Sequence, residues 1–480
     1  EDKRIFSPVR LVKKDADSGE TVPIAGAEFQ LLDENREPVV MTVHYPQETA
    51  HSSFKTDETG SFVLPERLSA GIYYFRELNA PAGYLLNKEP VKFEVREDHE
   101  WGDPFVVEFS DRPAMGKIHI KKTDEDTGKA VSGAKFEITA KEDILTPAGS
   151  VRIPAGSTVG TIVTDENGEG QSDSLYLGRY EIRETEQPQG YVLPEKIYEV
   201  GLEYNGQETE LVSAEAEITN KPTKITLKKK EEGTETGLKG VKFAVWPKEK
   251  EKLYITDEEG RIEIKYLAPG TYCVQERESI PGYLRDDAVW EFTVDSTGRI
   301  EGQECMEYEV ENKKTKIRDT EAFWKETGEK EIYGGEEHVI VDTVIFQDLE
   351  PGQVYTLKGA LAAPETGEIL TENGQPIAAV NTFTAEKPSQ EIQMEFPVDT
   401  VRTEERKIVV FESLYIGDIL IATHADPGDK GQTVTILKKP EASAATGDST
   451  VGSLQTAALL AAILLPPVYT AVYFMRKKKM

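Results

Sequence analysis

Cysteine is almost missing: Cys273 and Cys305 are the only two in 480 residues, so neither a disulfide framework nor a multi-cysteine zinc site holds this chain together. Histidine is scarce as well. The six (His44, His51, His99, His119, His338 and His424) are scattered without an HExxH or other ligand spacing, which argues against a metal enzyme. No Gly-rich phosphate loop and no GxSxG elbow occurs, and no cofactor is expected. Positive charge is in deficit: 56 Lys and Arg face 87 Asp and Glu, and the net charge of −31 repels nucleic-acid phosphates and anionic lipid. With 38 % hydrophobic residues the chain is too polar for a multi-span membrane protein, yet long enough for three or four ordinary domains.

The opening residues, EDKRIFSPVR, carry no initiator Met and no apolar signal region, so a processed chain or the C-terminal part of a longer one is expected. Near the other end, Val451 to Met475 is mostly apolar and long enough to cross a bilayer. It runs into Arg476, Lys477, Lys478 and Lys479, which the positive-inside rule places in the cytoplasm, leaving everything before the span outside the cell. Pro466-Pro467 would kink such a span, which a transmembrane helix tolerates.

Between these ends, three stretches repeat one succession of signals. Each opens with a strand and turn (VRLVKKDADSG, KIHIKKTDEDTG, ITLKKKEEGTETG) and continues with IAGAEFQL, VSGAKFEI or LKGVKFAV. A TDExG turn follows at Thr56–Gly60, Thr164–Gly168 and Thr256–Gly260; then come GIYYFRELNAPAGY, GRYEIRETEQPQGY and GTYCVQERESIPGY. The units close on FSDRP, ITNKP and VENKK, and the third is shorter than the others. Short alternating runs broken by Gly, Pro, Asn and Asp predict antiparallel strands, one β-sandwich per unit.

Side chains in a strand alternate faces with period two, and three positions per unit put charge or amide on the apolar face. Val9 and Leu11 lead to Lys13, Ile118 and Ile120 to Lys122, and Ile225 and Leu227 to Lys229. Tyr73 and Phe75 lead to Glu77, Tyr180 and Ile182 to Glu184, and Tyr272 and Val274 to Glu276. Val107 and Phe109 lead to Asp111, Ala216 and Ile218 to Asn220, and Tyr308 and Val310 to Asn312. The neighbouring Lys14, Lys121 and Lys230 fall on the outer face. An ammonium and a carboxylate in an apolar core are costly unless something compensates. Burial lowers a lysine pKa and raises that of a glutamate, so a neutral amine can attack an Asx carbonyl that a protonated acid polarises. Alignment by folding supplies effective molarities of roughly 10⁵ to 10⁸ M, enough for amide condensation. The bland alternative is a buried salt bridge.

At these residues the sequence resembles the Cna-B or SpaA-type domains of Gram-positive surface proteins and pilins, over about residues 9 to 314. The resemblance implies prealbumin-like or immunoglobulin-like sandwiches with spontaneous isopeptide bonds. The reactive lysine then matches Lys13, Lys122 and Lys229, the catalytic acid Glu77, Glu184 and Glu276, and the acceptor Asp111, Asn220 and Asn312.

Thr315 to Lys439 has another pattern: IRDTEAF, HVIVDTVIFQDLEPGQVYTLKGAL, KIVVFESLY and ATHADPGDKGQTVTI. It resembles the VaFE-type, Thr-Gln ester-bond domains of the same class of proteins. That resemblance implies an ester from Thr320 to Gln432, assisted by Asp342, Glu412 and His424. Period two supports Glu412 and Gln432, but Ile317 and Phe323 fall on the face opposite Thr320.

Other motifs carry less. Cys273 and Cys305 fall on the outer parity of the third unit, and a disulfide between them stays open. The DADSG and DEDTG turns look like incomplete calcium loops and are read as solvated turns. Trp246-Pro247-Lys248 is read as an exposed strand end rather than a polymerisation lysine. Ser443-Ala444-Ala445-Thr446-Gly447 resembles a wall-sorting pentapeptide, with Ser443 and Ala444 where most sortases read Leu and Pro. A sortase cutting between Thr446 and Gly447 is one expected partner; permanent membrane anchoring is the rival.

The expectation is therefore an all-β chain of tandem sandwiches followed by one C-terminal transmembrane helix. Its divisions are 1–113, 114–222 and 223–314 for three Cna-B/SpaA-like domains and 315–439 for an ester-bond domain. A linker follows at 440–450, the span at 451–475 and a basic tail at 476–480. The expected function is a non-enzymatic, self-cross-linked stalk at the cell surface, anchored in membrane or peptidoglycan and presenting an upstream region to a host matrix protein or other ligand. A ligand-binding adhesin is the alternative.

Overall fold

The structure is a computed structural model that describes residues 6–44, 46–96, 103–247, 251–401 and 404–440. The sorting-like segment, with Thr446 and Gly447, and the apolar run at 451–475 lie outside the described residues. Among the described residues there are strands and turns but no helix, and none is long and apolar enough to cross a membrane.

Each of the first three domains is two sheets with one core between them. In the first, the opening strand Val9–Asp15 lies between the closing strand Phe105–Asp111 and Ser61–Val63. The facing sheet runs Val91–Val95, Gly71–Asn79, Glu28–Leu32, Phe54–Lys55. Val9, Leu11 and Phe109 from one sheet pack on Phe29, Leu31, Phe75 and Val95 from the other, and the Phe29 and Phe109 rings meet edge-on at 5.0 Å. The second and third domains repeat the arrangement around opening strands Met115–Asp124 and Lys224–Glu231. The third is shorter because Lys242–Pro247 pairs directly with Lys252–Ile255. At that place the first two domains insert the hairpins Met41–Val43/Thr49–His51 and Ile144–Leu145/Val151–Ile153.

One expectation is corrected. Strands within each unit are not all antiparallel: opening and closing strands pair in parallel, Val9 to Phe105, Met115 to Leu211 and Lys224 to Cys305 at their starts. A chain that enters a domain at one end and leaves at the other must run its first and last strands in the same direction. The lysine and its acceptor thereby approach the exit end of the domain together.

The fourth domain packs the three strands Lys316–Trp324, Glu337–Gln347 and Gln390–Asp399 on a six-stranded sheet centred on Arg406–Ile416 and Val354–Ala362. Trp324, Phe346, Tyr355, Leu357 and Phe396 fill the space between them.

Candidate functional site

The TDExG turn explains how each lysine is held. Its threonine hydroxyl bridges backbone groups of the preceding loop, Thr164 Oγ1 donating to the Val131 carbonyl (2.9 Å) and accepting from the Ala134 amide (3.1 Å). Its glycine carbonyl accepts the lysine's own amide: Lys13 N to Gly60 O 2.8 Å, Lys122 N to Gly168 O 2.7 Å, Lys229 N to Gly260 O 2.7 Å. Gly168 has φ +74°, and a Cβ there would stand 2.3 Å from the Lys122 carbonyl oxygen. Gly168→Ala is therefore expected to cost about 2 kcal/mol or more in an unlinked background, read as a lowered Tm of the second domain.

The three lysines are fully buried, as are Glu77, Glu184, Glu276, Asp111, Asn220 and Asn312 to within 3 % exposure. In the first domain Lys13 Nζ lies 2.9 Å from Glu77 Oε1 and touches Asp111 Oδ1, with the Phe109 ring 4.4 Å away. Burial, and the charge of Glu77, push the Asp111 carboxyl up to about 8 despite Lys13, so near neutrality it is largely the acid. In the second domain Lys122 Nζ donates to Asn220 Oδ1 (2.6 Å), Asn220 Nδ2 donates to Glu184 Oε1 (2.6 Å), and Glu184 Oε2 stands 3.6 Å from the amine. Burial brings Lys122 down to about 8 and raises Glu184. In the third domain Lys229 lies 2.9 Å from Glu276 Oε2, and Asn312 Nδ2 donates to Glu276 Oε1 (2.7 Å) and Ser279 Oγ (3.0 Å). Asn312 Oδ1 is buried without a hydrogen-bond partner, and burial lowers the Lys229 pKa. Glu184 and Glu276 thus reach both amine and acceptor, while in the first domain Lys13 itself reaches both carboxyls. Lys14 and Lys230 instead pair with surface carboxylates, Glu108 at 3.4 Å and Glu309 at 2.9 Å.

In the fourth domain Thr320, Asp342, Glu412 and Gln432 are all buried. The parity conflict at Thr320 is resolved by an irregularity: the register shifts between Ile317 and Asp319, so Ile317 and Thr320 both turn inward, followed by Ala322 and Trp324. Gln432 Nε2 donates to Asp342 Oδ1 (3.1 Å), while Thr320 Oγ1 and Gln432 Oε1 have no hydrogen-bond partner. Two such orphans in one core are unusual. Burial raises Asp342, and burial together with the Asp342 charge raises Glu412 further, so this carboxyl pair retains a proton near neutrality. His424 sits opposite Glu412 in the hairpin register and shares a 2.8 Å hydrogen bond with Asp429 Oδ2. The Ala322 amide donates to the Gly431 carbonyl (3.0 Å), joining the Thr320 strand to the segment carrying Gln432.

Several contributing residues went unread in the sequence. Phe29, Phe136 and Phe243 stand directly across from Glu77, Glu184 and Glu276, and their recurrence in AEF, AKF and VKF was the available signal. Asp429, five residues after His424, had only its spacing to mark it. Asp15 and Asp124, expected in solvated turns, are 1 % and 2 % exposed; their partners come from distant segments that local sequence does not reveal. Cys273 and Cys305 are not joined by a disulfide, and Trp246-Pro247 does end a strand, with Pro247 exposed and Lys248 outside the described residues.

Comparison with known proteins gives four matched stretches. The SpaA model, a prealbumin-like fold domain, matches residues 7–103, 116–217 and 223–309, and the model of the T-Q ester bond containing domain matches 316–436. No curated protein matches. Among solved structures, the Bacillus anthracis TIE protein is 25 % identical over 64 % of this chain and 51 % of its own, with a TM-score of 0.40. A Mobiluncus mulieris adhesin containing intramolecular disulfide, isopeptide and ester cross-links is 18 % identical over 26 % of this chain and 57 % of its own (TM-score 0.23). BcpA, the major pilin subunit of Bacillus cereus, is 16 % identical over 65 % of this chain and 100 % of its own (TM-score 0.30). The chain thus spans about half the length of the first two. With three SpaA matches covering more than half of its length and an ester-bond domain after them, the chain belongs to the family of SpaA-type prealbumin-like domain proteins.

Proposed function

We propose that the chain is a surface stalk whose four domains are each closed by a bond formed once within its own chain. In the second domain the neutral Lys122 amine attacks Asn220 Cγ, the Cγ–Nζ bond forms and the Cγ–Nδ2 bond breaks. Glu184 passes a lysine proton to the departing nitrogen, which leaves as ammonia. Lys229, Glu276 and Asn312 repeat this chemistry, and Lys13 and Asp111 condense with loss of water. Thr320 Oγ1 attacks Gln432 Cδ and ammonia leaves, with the Asp342–Glu412 pair and His424 handling the protons. The observation that carries this reading is a buried Lys, Glu and Asx gathered in one cluster in each of three successive domains. A one-time reaction consumes its own residues, so it is not turnover.

The stalk role follows from where the bonds would lie. Tension entering the opening strand would pass through the lysine to the closing strand and out, bypassing the residues between. We further propose that the C-terminal apolar run and basic tail anchor the stalk at the cell surface, after or without sortase cutting at Thr446-Gly447.

Peptide mapping of the denatured chain tests the reading: three Lys-to-Asx peptides and one Thr-to-Gln peptide are expected, whereas only linear peptides would defeat it. Mapping of chains freshly made in cell-free translation between about pH 7 and 9 adds a contrast. Lys122 becomes the neutral nucleophile as pH rises through about 8, so the second-domain link should form faster. Asp111 becomes an unreactive carboxylate over the same interval, so the first-domain link should form more slowly.

A further inference from the structure

Each opening strand ends two residues past its lysine in an acid: Asp15, Asp124 and Glu231. Because opening and closing strands are parallel, this acid lies at the end where the chain passes to the next domain. Asp15 Oδ1 accepts the amides of Asp17 (2.9 Å) and Ser18 (2.8 Å); its Oδ2 accepts the hydroxyl of Tyr84 (2.6 Å), the tyrosine of NAPAGY. The same Oδ2 also accepts Arg152 from the second domain. Asp124 repeats this at the next joint, accepting the amides of Asp126 (2.9 Å) and Thr127 (2.7 Å) and the hydroxyl of Tyr191 (3.0 Å). Its donor from the following domain is Tyr266 (2.9 Å), which adopts φ +60° to reach it. That is a costly conformation for an aromatic residue outside a functional contact.

A second position recurs as well. The amide nine residues beyond each glutamate of the site donates to the following domain: Leu86 N to Gln207 O (3.1 Å), Leu193 N to Thr297 O (2.8 Å) and Arg285 N to Glu350 Oε2 (2.8 Å). Around these anchors Glu20 accepts from Thr146 (2.7 Å) and Ser150 (2.6 Å), and Lys265 pairs with Asp126 at 2.8 Å. At the second joint the backbones approach so closely that a Cβ on Gly298 would lie 2.1 Å from the Tyr191 carbonyl oxygen.

We infer that the exit end of each SpaA-type domain is a docking face for the domain that follows, locking successive domains at fixed joints. Short linkers alone leave domains free to reorient unless an interface holds them. Here the accepting Asp15 and Asp124 carboxylates are buried and the hydrogen bonds they receive are charge-assisted, which makes them strong. Burial would push the Asp15 carboxyl up, but Tyr84, the turn amides and Arg152 outweigh it and hold it below the usual range. The face accepts whatever donor the next domain brings. The second domain reaches back with its hairpin Ile144–Leu145/Val151–Ile153, and the third, built without that insertion, uses Tyr266. Asp15 and Asp124 lie beyond the lysines, off the proposed line of tension, so the joints set direction rather than tensile strength.

Small-angle scattering of the full chain tests this with Arg152→Ala and Tyr266→Phe, which remove only the donors from the following domains. The double variant should show a radius of gyration lower by about a tenth and a broadened distance distribution, as a rod that bends at two joints does. Each domain should keep its own melting temperature. Scattering that superimposes on the wild type would overturn the inference. Hydrogen exchange of the unmodified chain is a second reading: Leu86 and Leu193 amides should be protected, and exchange at free-peptide rates would overturn it too. Intact mass measured on the same samples reports the cross-links separately, so failure of one proposal is not mistaken for failure of the other.

Discussion

Glu184→Gln should leave the second domain folded but unlinked, with its melting temperature lower by about 20 °C or more. The substitution is nearly isosteric and keeps an acceptor for Asn220 Nδ2, which now lies 2.6 Å from Glu184 Oε1. What it removes is the group that moves the proton, and without it neither the amine nor the leaving nitrogen is served. Loss of the clamp between Lys122 and Asn220, 98 residues apart, returns about 4.7 kcal/mol of loop entropy to the unfolded chain. At about 4–8 °C per kcal/mol for a domain near 100 residues, the clamp alone accounts for the shift. Lys122, left in the core without a carboxylate, adds to the loss. Exposed Glu186→Gln is the control and should change neither mass nor melting. Calorimetry paired with mass spectrometry decides it, and an intact link in Glu184→Gln would remove the glutamate from the chemistry.

The second large effect is mechanical. Pulled by its ends, the wild-type second domain should give no unfolding step, because tension crosses from Lys122 to Asn220 without entering the residues between them. Lys122→Ala opens that detour, and the domain should then release about 33 nm of chain, 98 residues at about 3.4 Å each. Single-molecule stretching reads this directly. A step of that length in the wild type would mean that no covalent bypass exists.

Much of this was legible because a strand with one buried face reports its geometry through parity. Lys13, Glu77 and Asp111 interrupt apolar runs at even spacing, and the threefold repeat removes coincidence from the pattern. Parity fails where the backbone departs from the pleat. Thr320 looked misplaced because the irregularity between Ile317 and Asp319 turns consecutive segments onto one face, and no residue type announces it. Pairing direction was also illegible, since the partner of Val9–Asp15 lies 96 residues away and alternation is the same in parallel and antiparallel ladders. Asp15 and Asp124 read as turn residues because their turn amides are local, whereas Tyr84, Arg152 and Tyr266 reach them from elsewhere in the fold.

Of all these claims, self-cross-linking is the one on which the stalk reading depends, and the intact mass of the folded wild-type chain addresses it most directly. Three losses of ammonia and one of water should place it about 69 Da below the mass of its amino-acid sequence. A chain at its full sequence mass, with all four domains folded, would contradict the account.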